Sequence, residues 1–437
     1  MRVKFFFKLL FCFLISSNLT LLFSQQTNEE FMDLWGEYLG QPLPGLKPEP
    51  FVPELFSVWG DYGFHLHTSV FFSPDNKSLF FTNQTLPVAA GRSCSIWRMQ
   101  QINGRWTKPE KTVFSSDYCD QGAFYSSDGE TAYFESTRPP NEKGQTKDFD
   151  VWYVKRNERD WSRPERLCYP INTTHNDAGG VVTGDGVLYF CSDRPGGNGG
   201  FDIYYILSVN GDNQEPINLG DSVNTDADEY INHVAPDETF LILYRASMQD
   251  LAKTGLYVSY RNAGGVWTKA KYMGDHINTH NASGSSVSPD GNYLFLLYQG
   301  DGIYWLKADI IEYLRNEELT VSDELLRVSF QRGVDEALAT YYELRERHAD
   351  YIDINEYLLN QRGHQFLNAE RFAEAIALFK IVVALFPDSW NAFDSLGEAY
   401  WKARQIELAV QSYERSLELN PRNKNAANML NIIRTNR

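Results

Sequence analysis

Five copies of one short turn phrase constrain this chain more than any other feature. The cleanest is Ser288-Pro289-Asp290-Gly291, followed by Tyr293-Leu294-Phe295. Looser copies are Ser73-Pro74-Asp75-Asn76, Ser127-Asp128-Gly129, Gly184-Asp185-Gly186 and Ala235-Pro236-Asp237-Glu238. Their aspartates, Asp75, Asp128, Asp185, Asp237 and Asp290, lie 53, 57, 52 and 53 residues apart. A period of about 50, with alternating strands on both sides of a tight turn, predicts a β-propeller with one blade per copy.

Each blade reads alike. An innermost strand comes first: Val70–Phe72, Ala123–Tyr125, Gly180–Val182, Ile231–Val234 and Ser285–Ser288. The turn supplies the left-handed backbone that a tight hairpin needs. A second strand follows, then a third with apolar–aromatic pairs such as Ile96-Trp97, Val151-Trp152 and Ile303-Tyr304. Trp106, Trp161 and Trp267 open the outer strands, and these rings are expected to pack between blades. The fifth blade lacks an outer strand of its own. The stretch Lys47-Pro48-Glu49-Pro50-Phe51 echoes Lys108-Pro109-Glu110-Lys111-Thr112. It is therefore expected to supply that strand and close the ring, which removes the exposed sheet edges.

A second period begins beyond the propeller. Gly363 and Gly397, Ala375 and Ala409, and Pro387 and Pro421 are each 34 residues apart. This is the tetratricopeptide period, with small residues where paired helices touch and a proline ending each unit. The expected fold is thus mainly β plus α, a five-bladed propeller followed by an α-helical tetratricopeptide module. The divisions are a leader at 1–24, an N-terminal surface arm at 25–46, the propeller at 47–307, connecting helices at 308–350 and the repeat domain at 351–437.

These marks resemble exported bacterial proteins that join a TolB-like, WD40-like (PD40) propeller to tetratricopeptide repeats. The run from Asp193-Arg194-Pro195-Gly196-Gly197 to Phe201-Asp202-Ile203-Tyr204 carries the likeness, as do Ile171-Asn172-Thr173, Val223-Asn224-Thr225 and Ile277-Asn278-Thr279. The second blade departs from the pattern, with Pro139-Pro140-Asn141 and no diglycine run. The fourth lacks that run and the acidic start of the third strand as well. The resemblance implies binding or scaffolding in the cell envelope and names no ligand.

Charge narrows the partners. The formal net charge is −17, and removing Arg2, Lys4 and Lys8 with a leader takes it to −20. A polyanion repels phosphate backbones, which argues against nucleic acid and anionic membranes. Met1 to Ser24 has the basic start and apolar run of a secretory signal. Its uncharged stretch, Leu9–Phe23, is shorter than the ~20 residues of a spanning helix. No other long apolar run follows, so a periplasmic, outer-membrane-associated or secreted protein with no transmembrane segment is expected. Cys94, Cys119, Cys168 and Cys191 remain, either as disulfides or as thiols.

Counting back eight residues from each turn aspartate gives His67, Asp120, Asp177, Glu229 and Ala282. These should ring one mouth of the channel. The second strands end there with Gln84, Arg138, Arg194, Arg245 and Gln299. Asp120 with Arg138, Asp177 with Arg194 and Glu229 with Arg245 are therefore expected to meet. They are either ion pairs bracing strand ends or, with His67, a ligand funnel for carboxylates or sugar hydroxyls. In the second case the acids would suit a glycoside hydrolase-like, carbohydrate-active enzyme acting on an envelope glycan. The preferred reading is non-catalytic binding of a protein or peptide, because no nucleophile elbow or phosphate loop appears. Arg362, Gln365, Asn391, Asp394 and Glu398 are the candidate lining of a repeat groove. The histidines lack metal-ligand spacing, and no cofactor is expected. A Ca²⁺ loop at Asp148 and Asp150, or at Gly199 to Asp202, is the one alternative.

Overall fold

The computed structural model describes residues 31–85, 93–139, 148–158, 160–208, 214–316, 321–347 and 355–435. The leader, part of the arm and Pro140-Asn141 lie outside the described residues. Five antiparallel sheets follow one another, four with four strands and the first with an extra two-residue strand. In the second blade the order from the channel outward is Asp120–Tyr125, Thr131–Ser136, Asp150–Lys155 and Glu165–Arg166. The outer strands are only two residues long, which leaves little edge for another chain to pair with.

The turn phrase has a local physical cause. In the first, second and fifth copies a serine hydroxyl donates to the aspartate: Ser73 to Asp75, Ser126 to Asp128 and Ser288 to Asp290, at 2.5–2.6 Å. The same carboxylate oxygen accepts the N–H two residues on, from Lys77, Glu130 and Asn292. This is an Asx turn, which fixes the hairpin before any strand pairs. The next residue is left-handed in all five copies: Asn76, Gly129, Gly186, Glu238 and Gly291 have φ of 56–81°.

The last sheet is completed from the other end of the chain. Glu49 stands opposite Trp305 and Pro50 opposite Tyr304 in antiparallel register. Phe51 and Val58 continue the ladder with N–H bonds to the carbonyls of Ile303 and Asp301. Proline is tolerated there because an edge strand has a free side. A single helical turn, Pro53–Phe56, then buries Leu55 and Phe56 beside Phe51.

The arm departs from expectation. Its described part is not wholly at the surface: Tyr38 and Leu39 are 1% exposed. Tyr38 packs on Phe72 of the first blade and on Tyr293 and Trp305 of the last. The carbonyls of Leu34 and Gly36 accept bonds from the backbone and the indole of Trp106. The arm is thus a second latch across the closure seam. Polar composition concealed it, because burial falls on a few residues of an irregular segment.

The three tryptophans pack as expected; Trp106, Trp161 and Trp267 are buried. Arg156 and Arg261 lie over the last two rings. Cys94 and Cys119 form a disulfide between the first and second blades, and Cys168 and Cys191 are free thiols.

The helical part runs Asp309–Asn316, Val321–Arg332, Val334–Arg347, Glu356–Asn368, Phe372–Leu385, Trp390–Lys402, Ile406–Leu419 and Lys424–Thr435. Asn355 and Ser389 cap two of these helices by accepting the N–H three residues on, the preferred capping geometry. The 34-residue period has a packing cause. A Cβ on Gly397 would sit 2.8 Å from the Tyr413 ring, and one on Gly363 would meet Phe379. Only glycine lets the two helices of each unit approach that closely.

Helices and propeller share one apolar core. Leu256, Leu294 and Leu306 of the last two blades belong to the same buried cluster as Ile310, Leu325, Phe366 and Phe379. Polar bonds cross the same seam. Tyr260 donates to the carbonyl of Ile311, Ser322 to Asp275, and Thr279 to Gln361.

Candidate functional site

The predicted acid–arginine pairs form in three successive blades. Arg138 reaches Asp120 at 2.7 Å, Arg194 reaches Asp177 at 2.8 Å and Arg245 reaches Glu229 at 2.7 Å. Each acid is also held by the residue four before it. Ser116, Thr173 and Thr225 each donate a backbone N–H and a hydroxyl. Each arginine also donates to a backbone carbonyl, that of Phe114, Ile171 or Val223, and lies over an aromatic ring. The three acid side chains have no solvent exposure. Burial holds the Glu229 carboxyl above its ordinary range, against the lowering pull of Thr225 and Arg245. Ser136 and Ser192 add a fourth donor to Asp120 and Asp177, and a guanidinium on a carboxylate so buried and so bonded is a brace.

The Asn-Thr dipeptides have a role that sequence reasoning missed. Asn172, Asn224 and Asn278 each accept the N–H and donate to the carbonyl of one third-strand residue: Val151, Ile203 or Leu256. The side-chain amide mimics a peptide unit and extends the ladder. Recurrence ahead of the third, fourth and fifth turns was the signal available in the sequence.

The open space lies one residue away. A central cavity of about 430 Å³ is lined by inner strands of all five blades. Of the predicted funnel residues only His67 lines it. Asp120, Asp177 and Glu229 give way to their successors Gln121, Ala178 and Tyr230. Successive strand residues point to opposite faces, so the acid faces into its own blade and the neighbour faces the channel. Just beyond, the register shifts in four inner strands, between Gln121 and Phe124, Ala178 and Val181, Ile231 and His233, and Ala282 and Gly284. Such a bulge re-aims side chains and frees backbone donors.

Those donors bond across blades. The N–H of Gly122 goes to the Thr82 hydroxyl, that of Gly179 to Glu135 Oε2 and that of Ile231 to the Cys191 sulfur. Glu135 Oε1 also accepts from Gln121 Nε2 at 2.6 Å. Phe149 and Phe201, just ahead of the third strands of blades two and three, close the collar. Their carbonyls accept the N–H of Asp177 and Glu229.

The repeat-groove candidates divide. Arg362 is buried against the propeller, where it donates to the Ala252 carbonyl at 2.5 Å and lies over Tyr272. Gln365 accepts from Arg362. These two face the chain's own propeller instead of an open groove. Asp394 accepts from Asn423 and Asn425 of the next unit, and Glu398 pairs with Lys402. Asn391 is exposed.

The loop carboxylates proposed for Ca²⁺ have internal donors. Asp150 receives both arms of Arg166, and Asp202 receives the N–H groups of Asn198 and Gly199 and the amide of Asn218. Among the described residues, no helix is long and apolar enough to cross a membrane.

Together these features define the class: a five-bladed propeller fused to a tetratricopeptide-like helical stack. No family model matches the chain. The chloroplastic tetratricopeptide repeat domain-containing protein PYG7 of Arabidopsis thaliana is 33% identical over 65 residues. That match covers 15% of this chain and 22% of the relative's length. Among solved structures, the first TPR domain of the human RPAP3 protein is similar at 28% identity. The match covers 26% of this chain and 87% of that one, with a TM-score of 0.19. A puromycin hydrolase S511A mutant is similar at 13% identity over 52% of this chain and 32% of that one, with a TM-score of 0.32.

Proposed function

We infer that this chain is a non-catalytic binding protein of the cell envelope, a scaffold engaging a protein or peptide partner through its repeat stack. One observation carries the choice over a glycoside hydrolase: the acids of the ring are sealed inside the brace network. A carboxylate with no exposed surface, held by three bonds at Glu229 and four at Asp120 and Asp177, is out of reach of a leaving oxygen or a water. The continuous core beneath propeller and helices supports the scaffold reading, since it holds two interaction modules as one unit. The outward part of the groove is then the second repeat, around Asn391. The docked first repeat is the fixed end of the stack. Export rests on the leader read at Met1–Ser24 and is supported by the Cys94–Cys119 disulfide, because disulfides persist in oxidising compartments.

The experiment places a photo-crosslinking residue at Asn391 of the full chain in native envelopes, with exposed Met248 on the propeller as control. A discrete adduct specific to Asn391 is expected. Turnover of any envelope glycan that Asp177→Asn abolishes without unfolding overturns the reading.

A further inference from the structure

We propose that the central cavity binds a neutral sugar, a pyranose ring that lays its C–H face on aromatic rings and turns its hydroxyls to the facing wall. The cavity has two unlike sides. Aromatic rings come from blades two, three and four: Phe124, Phe149, Phe201, Tyr230 and Tyr244. Phe201, Tyr230 and Tyr244 pack in succession, with centroids 5.0 and 6.3 Å apart. Hydroxyls come from blades one and five: Thr68, Ser69, Ser283 and Ser285. Around a ring of five blades, the first and last stand across from the third. A volume of about 430 Å³ falls within the size of small-molecule sites, which join apolar walls to a few placed polar groups.

Folding does not explain the hydroxyls. Ser285 is 1% exposed, and its hydroxyl, like those of Thr68 and Ser283, is buried with no hydrogen-bond partner. Neighbouring serines tie this seam together: Ser286 donates to the Val70 carbonyl and lies 3.3 Å from the Ser69 hydroxyl. Small side chains are needed where blades one and five meet, since a Cβ on Gly284 would sit 3.3 Å from the Ser69 nitrogen. Alanine meets that need with no hydroxyl to desolvate. Each hydroxyl both donates and accepts, which suits a ligand whose own hydroxyls do the same. Glu135 is held within the wall by Gln121 and Gly179. Among the described residues the lining has neither lysine nor arginine, and aromatic faces are themselves negative, so an anion meets no counter-charge.

The site is independent of whether the helical stack has a partner. The test is calorimetric titration of the full chain with the methyl glycosides of glucose, galactose and mannose, with glucuronate and cyclohexylmethanol as controls. At least one glycoside is expected to bind saturably. Glucuronate, which adds a negative charge, and cyclohexylmethanol, which keeps the ring and a single hydroxyl, are expected to bind at least about tenfold weaker. The triple variant Thr68→Val, Ser283→Ala and Ser285→Ala is expected to weaken the bound glycoside by at least about tenfold, the loss of several neutral hydrogen bonds. Its thermal midpoint without sugar is expected to stay level or rise, because the removed hydroxyls bond nothing in the fold. No saturable binding of any glycoside, equal binding of either control, or unchanged affinity in the triple variant overturns the proposal. A lowered midpoint in that variant assigns the hydroxyls to the fold and overturns it as well.

Discussion

Pro50 stands opposite Tyr304, so the outermost strand of the last blade comes from a segment more than 250 residues earlier in the chain. Phe51, the next residue, stacks on Phe56 and meets Phe295 and Trp305 with ring centroids 4.9–5.8 Å apart. It has no exposure. Phe51→Ala is expected to destabilise the fold by about 3–5 kcal/mol. Urea unfolding followed by tryptophan fluorescence reads this as a lower midpoint. A loss below about 1 kcal/mol would mean that the seam is held by the arm alone.

The brace network gives a double-mutant prediction. Asp177→Ala leaves the half-buried Arg194 without its counter-charge, which is expected to cost up to about 3 kcal/mol, the low end for breaking a buried pair. Asp177→Ala combined with Arg194→Met removes both charges and is expected to recover part of that loss, because desolvation no longer opposes folding. Equilibrium denaturation of both variants checks it. A double variant less stable than the single one would contradict a mainly structural role.

Propeller and helices are expected to unfold together. Arg362 ties them through its bond to the Ala252 carbonyl. Arg362→Ala is expected to cost about 1.5–3 kcal/mol, the range for a bond from a charged donor. It should also broaden or split the single calorimetric transition. A sharp transition at an unchanged temperature would show that the apolar seam suffices.

The turn aspartates set the acid limb. Burial pushes Asp75 and Asp290 upward, but the serine hydroxyls and backbone N–H groups outweigh it, so their pKa values lie below the ordinary carboxylate range. Asp128 is lowered by Ser126 and the N–H of Glu130. A depressed folded-state pKa contributes stability above the unfolded value, about 3.9. That contribution is lost as pH falls through the folded value. Replacing Asp75 and Asp290 by Asn should therefore flatten the fall in stability below about pH 4. Circular dichroism across an acid titration measures it; an unchanged limb would assign acid unfolding to other groups.

Much of the architecture was written in local spacing. The turn phrases at Asp75, Asp128, Asp185, Asp237 and Asp290 are each confined to a few residues, so their recurrence counted the blades. The echo of Lys108–Thr112 in Lys47–Phe51 revealed the closing strand. The acid–arginine partnerships were also legible, because strand direction and length bring Asp177 and Arg194 to one end.

What the sequence determined alone was therefore the number of sheets, the phase of the helical repeats and which charged residues meet. The tertiary structure alone decided which way those residues face. Adjacent strand residues point oppositely, so Gln121 lines the cavity while Asp120 does not. It also decided that Tyr38 is buried and that Arg362 belongs to the propeller seam. Each depends on contacts between segments far apart in the chain, and no local propensity or spacing encodes those.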